Sequence, residues 1–233
     1  MKIGVVSDAH GNPFGLLACL EFLVEEGADQ LYFLGDAVGY MPAWKGVFEL
    51  LENYNVVCLR GNHDQMAIDN VELPRKNEIY GITPALKSEN KVSLSCVAAW
   101  PTSRSIKILN RSIMFVHGSP WQQLDGYVYP DTDMERFVTI EEDVVFMGHT
   151  HRPFIKDVQD KLIVNVGSCG LPRDTGNLVS CAIYDVSKND CEIYRIPQNV
   201  ENIISFFGSQ IHSTVMNCLR RDDDNYYGTL VHT

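Results

Sequence analysis

Apolar and polar positions alternate along this chain in blocks short enough to read as strands and helices in turn. Residues 2–7 form an apolar, β-branched run that suits a buried strand. Asn12-Pro13 then marks a helix start, because an Asn side chain caps and Pro suits the first helical position. Leu16, Leu17, Leu20, Leu23 and Val24 recur at helical spacing, and Gly27 is placed to end that helix. Residues 30–34 read as a second strand. Residues 42–53 read as a second helix with Trp44, Val47, Phe48 and Leu51 on one face, and 55–59 as a third strand. The order β-α-β-α-β with short connections implies parallel strands and right-handed crossovers.

Residues 65–100 are punctuated by Pro74 and Pro84, with Pro101 just beyond, and are expected to carry one or two short helices. After them the pattern turns mostly to strands: 105–109 and 112–116 as a hairpin around Asn110-Arg111, then 144–147, 154–158, 161–166, 178–186 and 191–196. Asn199 caps a last helix reaching about Gln210. The expected fold class is α/β: two stacked mixed β-sheets flanked by helices, a four-layer α-β-β-α sandwich. A single domain is expected over 1–210, with lid-like insertions near 65–100 and 118–141. Residues 211–233, around Asp222-Asp223-Asp224, are expected to be a loosely held tail.

Composition narrows the function classes. The 233 residues are 45% hydrophobic and 21% charged, which suits one globular domain with a substantial core. No apolar stretch approaches the roughly 18 residues of a membrane span. The first residues meet Asp8 too soon to be expected as a signal peptide. Seven scattered cysteines without a CxxC pair favour a reducing, cytoplasmic setting and argue against a thiolate zinc site. A net charge of -11 opposes an extended nucleic-acid track. It leaves room for a small phosphate ester, since bound cations dominate a local field.

Five of the seven histidines sit in four dispersed motifs: Asp8-Ala9-His10, Gly61-Asn62-His63-Asp64, His117-Gly118 and Gly148-His149-Thr150-His151. Gly35-Asp36 lies between the first two. Each alone has an ordinary reading: a surface turn for Asp8 and His10, a βα-turn for Asp36, a hydrogen-bonded core residue for His117. Together they follow strand-like segments, whose carboxyl ends line the ligand crevice of open α/β sheets. Imidazole nitrogens mixed with carboxylate and amide oxygens suit divalent transition metals, and the set is large enough for two ions. Residues two apart on a strand share a face, so Asp8 with His10, and His149 with His151, are expected to converge. Gly148 allows close backbone approach. Asn62 and His63, neighbours in an extended segment, are expected to diverge.

The block order DxH, GD, GNH[DE], H, GHxH strongly resembles that of the calcineurin-like metallophosphoesterase superfamily. Asn165-Val166-Gly167-Ser168-Cys169-Gly170-Leu171-Pro172-Arg173 resembles a C-terminal block of its compact prokaryotic branch of phosphodiesterases and dinucleoside-polyphosphatase-like proteins. The resemblance implies that Asp8, His10 and His151 hold one metal, Asn62, His117 and His149 the other, and Asp36 both. It implies that His63 stays unligated and faces substrate as general acid, with Asp64 behind it. The implied cofactors are two divalent ions, manganese first, with iron, zinc, cobalt or nickel compatible with the donors. The implied activity is hydrolysis of a small phosphate mono- or diester, nucleotide-containing esters included, by hydroxide held between the ions. Two divalent ions, two carboxylates and a hydroxide leave a pocket charge of about +1, which attracts phosphate. Asp64 nearby would favour protonated His63. The alternatives are a nuclease of the same superfamily, opposed by the charge, and a non-catalytic scaffold, opposed by the complete ligand set and by His63.

Substrate signals are fewer. Protein phosphatases of the superfamily carry an Asp-Arg pair soon after the GD motif, whereas this chain reads Ala37-Val38-Gly39-Tyr40. Arg60 and Arg173 are the remaining motif-borne cations, for phosphate or for surface ion pairs. Tyr40, Trp44, Trp121, Tyr127 and Tyr129 lie near motif ends, for base stacking or for ordinary loop packing. Cys169 is expected to be a packing residue. His212 and His232 are expected to be bystanders.

Overall fold

The computed structural model describes residues 1–69, 76–82, 91–223 and 225–232. Strand β1 (Lys2–Val6) runs parallel to β2 (Gln30–Phe33), with helix α1 (Pro13–Glu25) as the crossover. Asn12 caps α1 by accepting from the Phe14 and Gly15 amides, and the helix buries Leu16, Cys19, Leu20 and Leu23. Helix α2 (Trp44–Asn53) crosses to β3 (Val57–Cys58), parallel to β2. β3 is shorter than the predicted 55–59. Asn55 adopts φ 51° and the Val56 amide returns to Leu51 O, so those residues close α2 instead.

The second half supplies β4 (Ser103–Ile108), β5 (Arg111–Val116), β6 (Val144–Met147), β7 (Phe154–Val158), β8 (Lys161–Asn165), β9 (Leu178–Asp185) and β10 (Asp190–Pro197). With β11 (Thr229–Leu230) they complete two mixed sheets, β11-β10-β9-β1-β2-β3 and β4-β5-β6-β8-β7. The α/β sandwich of stacked mixed sheets is therefore as predicted. Ile3, Val5, Tyr32, Phe115, Phe146, Val164 and Tyr184 pack in one cluster between the sheets. The opposite face of the first sheet packs on α1 and α2 through Val6, Leu20, Phe33 and Val47. Strands buried on both faces read as continuous apolar runs, which is why the pattern found them. On the second sheet the outer layer is the segment 118–141, with Val128 and Phe137 over Met114, Val145 and Met147 and a 3-10 turn at Glu135–Thr139.

The other insertion carries α3 (Asn62–Ile68), α4 (Asn77–Tyr80) and the helix Lys91–Ala99. The expectation for 70–75 and 83–90, with Pro74 and Pro84, lies outside the described residues. The last predicted helix is Val200–Phe207, followed by a 3-10 turn at Gly208–Gln210. The expected loose tail is corrected. Ile211, Val215 and Leu219 form an apolar stripe at helical spacing, and helix Ser213–Leu219 buries it in a cluster with Met41 and Leu171. β11 pairs with β10, and fully buried Arg195 holds this end through Asp174 and Tyr227 O. Among the described residues, no helix is long and apolar enough to cross a membrane.

Candidate metal centre

Every predicted ligand lies just past the carboxyl end of a strand, and all are buried: Asp8 and His10 after β1, Asp36 after β2, Asn62 after β3, His117 after β5, His149 and His151 after β6. Their convergence does not arise from strand alternation. Asp8 (φ 57°), His10 (φ 48°), Asp36 (φ 61°), His149 (φ 65°) and His151 (φ 57°) are left-handed. Non-glycine residues adopt that region at a cost of about 1–2 kcal/mol each, and such strain collects at functional sites. Asn62 and His63 likewise begin α3 rather than an extended segment.

The donor atoms fall into groups that could each hold a metal ion. His10 Nδ1 faces Val38 O (3.0 Å) and His151 Nδ1 faces Leu171 O (2.6 Å). A carbonyl only accepts, so each Nδ1 carries the hydrogen and each neutral ring leaves Nε2 bare. These two Nε2 atoms nevertheless lie 3.0 Å apart. Asp8 Oδ1, buried without a hydrogen-bond partner among the described residues, is 3.2 Å from His151 Nε2 and 3.7 Å from His10 Nε2. Such a trio of acceptors is repulsive unless a cation lies among them. A second group forms where His117 Nε2 meets Asn62 Oδ1 (3.1 Å) and His149 Nδ1 (3.2 Å). Asp36 Oδ2 stands between the groups, 3.4 Å from His117 Nε2 and 3.6 Å from His10 Nε2. The three-residue groupings that could hold an ion include Asp8-His10-His151 and Asp36-His117-His149.

Electrostatics agree with that polarity. Burial alone would raise the Asp8 carboxyl, but the histidines packed around it, His151 and His117 first, outweigh that and hold it well below the usual carboxylate range. Asp36 is lowered in the same way, its burial outweighed by His117 and His63. Burial lowers His149 and His151 to about 4 against the pull of the carboxylates, keeping both rings neutral and ready to bind a metal. His117 goes the other way: burial is outweighed by Asp36 and Asp8, and its value rises to about 9. Without ions, a proton stands at the second group.

His63 is buried beside this cluster, its Nδ1 without a hydrogen-bond partner among the described residues. Its ring stacks on Tyr40 (4.9 Å) and contacts Tyr80 (4.6 Å) and His10 (4.8 Å). A third grouping, His10-Asp36-His63, shares two members with the others. The sequence expectation for Asp64 needs correcting. Its carboxylate accepts from the Asp36, Ala37, Val38 and Gly61 amides, so it clamps the β2 turn to the start of α3 rather than backing His63. Burial, then Asp36's like charge, pushes it up to about 7. His63 itself is lowered to about 3, burial first and the neighbouring histidines after it, against Asp36.

Two glycines allow this crowding. A Cβ on Gly61 would come 2.1 Å from Asp36 Oδ1, and one on Gly148 would come 2.5 Å from Asp8 Oδ2. The block at 165–173 is the supporting layer that the motifs alone missed. Asn165 Nδ2 donates to Gly148 O (2.7 Å), Ser168 Oγ to Asp8 O (2.7 Å), and Leu171 O takes the His151 Nδ1–H. Tyr80 carried no sequence signal. Of the flagged aromatics, Tyr127 meets the His149 ring (4.1 Å), with Tyr129 beside it. Trp44 is a core residue donating to Met41 O, and Trp121 packs on Phe137 and Arg136. Arg173 donates to Tyr40 Oη (3.1 Å), whereas Arg60 reaches Ala98 O. Cys169 is buried packing. His212 caps the helix Ser213–Leu219.

The profile of the calcineurin-like phosphoesterase superfamily domain matches residues 1–189. An uncharacterized protein of Methanocaldococcus jannaschii is 28% identical over 220 residues, covering 85% of this chain and 88% of that protein. A phosphodiesterase of the same organism is 25% identical over 169 residues, 72% of this chain and 84% of its own length. The crystal structure of a metallophosphoesterase from Sphaerobacter thermophilus shares the fold with a TM-score of 0.76, at 23% identity over 94% of this chain and 98% of that one. The chain belongs to the calcineurin-like phosphoesterase superfamily and, with it, to the phosphoric ester hydrolases.

Proposed function

We propose that the chain is a dinuclear metal-dependent phosphoesterase acting on a small phosphate mono- or diester. The observation that carries this reading is the pair of buried nitrogen and oxygen clusters that meet at Asp36 Oδ2, the first of them a trio of acceptors with no donor among them. Asp8, His10 and His151 would hold one ion, Asn62, His117 and His149 the other, with Asp36 serving both. Two divalent ions held there would supply a lowered pKa for water, from about 16 toward neutrality, and charge to offset that of the phosphate. Manganese is the first candidate among ions these donors accept. His63 supplies the proton that the departing oxygen needs; the negative charge of an arriving phosphate favours its imidazolium form. Tyr40 and Tyr80 hold that ring by packing, and Asp64 fixes the turn that carries Asp36. His63 is assigned no ion because His10 and Asp36 already converge more tightly on the other donors. Seven unpaired cysteines fit a reducing, cytoplasmic setting.

The test uses chelator-treated protein reloaded with one metal at a time and offered bis-p-nitrophenyl phosphate and p-nitrophenyl phosphate. Metal-dependent release of p-nitrophenol is expected. No turnover of either ester with any of manganese, iron, zinc, cobalt or nickel would overturn the enzymatic reading.

A further inference from the structure

Two exposed rings rim the metal centre. Tyr127 and Tyr129 leave 54% and 36% of their surface to solvent, while Val128 between them is buried under the second sheet. Val128 thus faces the sheet while both tyrosines face solvent. Their ring planes lie 12° apart with centroids at 5.8 Å. Tyr127 also contacts the ring of His149 at 4.1 Å, so the pair starts at a metal-ligand candidate and runs outward. The loop is tied before any ligand arrives: the Tyr129 amide donates to Thr132 Oγ1 (2.8 Å), the Thr132 amide returns to Tyr129 O (3.0 Å), and the Gly126 amide donates to Gln122 O (2.9 Å).

We propose that Tyr127 and Tyr129 form a stacking subsite for a nucleobase, so that the ester bound at the centre is a small nucleoside phosphodiester. A base has a planar face that such rings bind whatever its identity, with about 5- to 150-fold in affinity per stacked base. Arg173, bonded to Tyr40 Oη and within electrostatic reach of Asp8 and Tyr127, is a cation available to the phosphate of such an ester. A net charge of -11 opposes a long polyanion, which leaves a mononucleoside or dinucleoside ester. Hydrolysis adds water across one phosphorus–oxygen bond. The water oxygen stays on phosphorus, one of its protons ends on the departing oxygen, and a monoester and an alcohol result. The subsite rests on the phosphoesterase reading above.

Steady-state kinetics of the manganese-loaded protein test it with thymidine 5′-(p-nitrophenyl phosphate) against methyl p-nitrophenyl phosphate. These share the scissile bond and leaving group and differ in the nucleoside. The expected kcat/KM ratio favours the nucleoside ester by about 5- to 150-fold, collapses in Tyr129→Ala and returns in Tyr129→Phe. A ratio near one in the unmodified protein overturns the subsite while leaving the phosphoesterase reading intact. So does an equal loss for both esters in Tyr129→Ala. If neither ester turns over with manganese, the panel of metals and esters above decides the phosphoesterase reading, and calorimetric titration with thymidine monophosphate decides the subsite. Weaker binding by Tyr129→Ala supports it and equal binding overturns it.

Discussion

The seven side chains facing the metal centre and the aromatic rings around it share one crevice but are held by different means. Each ligand candidate is buried, and most are clamped from a separate element: His10 by Val38 O, His117 by Leu34 O, His151 by Leu171 O, Asp8 by the His149 amide. Five of them sit in left-handed backbone that only this surrounding lattice sustains. The rim is different: Tyr80 comes from one insertion, and Tyr127 and Tyr129 from the other, with much of the latter two left in water. A floor built this way fixes which atoms can be bound and activated. A rim built on insertions can change the accepted ester without touching the floor.

Breaking the floor should therefore have the larger effects. Asp36→Ala removes the oxygen common to both groups. It is expected to lose both ions by mass-spectrometric metal analysis and to bring hydrolysis to background; two ions retained per chain would disprove the sharing role. His63→Asn comes next. It should keep its ions while kcat falls about a hundredfold to ten-thousandfold, the range of a lost general acid. Ion loss in step with activity would instead make His63 a ligand, as the His10-Asp36-His63 grouping permits.

The same contrast explains what could be read from residue order. The floor was legible because strand ends concentrate ligands: apolar runs located the strands, and Asp8, His10, Asp36, Asn62, His117, His149 and His151 followed them. The manner of convergence was not legible. Strand alternation was the available rule for Asp8 and His10, whereas left-handed φ at both residues does the work. The resemblance implies Asp64 behind His63, but the first turn of α3 sends its carboxylate to four main-chain amides. Tyr80 could not be found because its contact with His63 depends on how an insertion folds back. Helix Ser213–Leu219 is hard to read from residue order because the Ile211, Val215, Leu219 stripe is short and a run of aspartates follows it.

A gentler probe of the floor is proton competition. Buried His117 is raised to about 9 by Asp36 and Asp8, so the chelated protein carries a proton on it at pH 7.5. An entering ion must expel that proton. Metal affinity should then rise with pH until about 9, by up to about tenfold per unit for one proton released. Calorimetry of Mn²⁺ binding in two buffers of different ionisation enthalpy reads the release directly, and identical heats would rule it out. In the chelated protein the sign for folding is opposite. A raised value stabilises fully below the ordinary 6.5 and is lost as pH climbs through about 9.

The smallest effect belongs to a histidine outside the crevice. His212 Nδ1 accepts from the Thr214 amide at 3.1 Å and caps the helix Ser213–Leu219, whose Val215 and Leu219 are buried. His212→Ala removes that acceptor and leaves the apolar stripe in place. Urea unfolding should show a loss of about 0.5–1 kcal/mol, the low end for a lost cap on an exposed helix end. Metal content and turnover should stay at the unmodified level, because nothing in the cap touches the floor or the rim. A metal or activity defect in this variant would mean that the C-terminal helix transmits strain to the centre through Met41 and Leu171, with which it shares a core cluster. The floor would then extend beyond the strand ends to the chain's last helix.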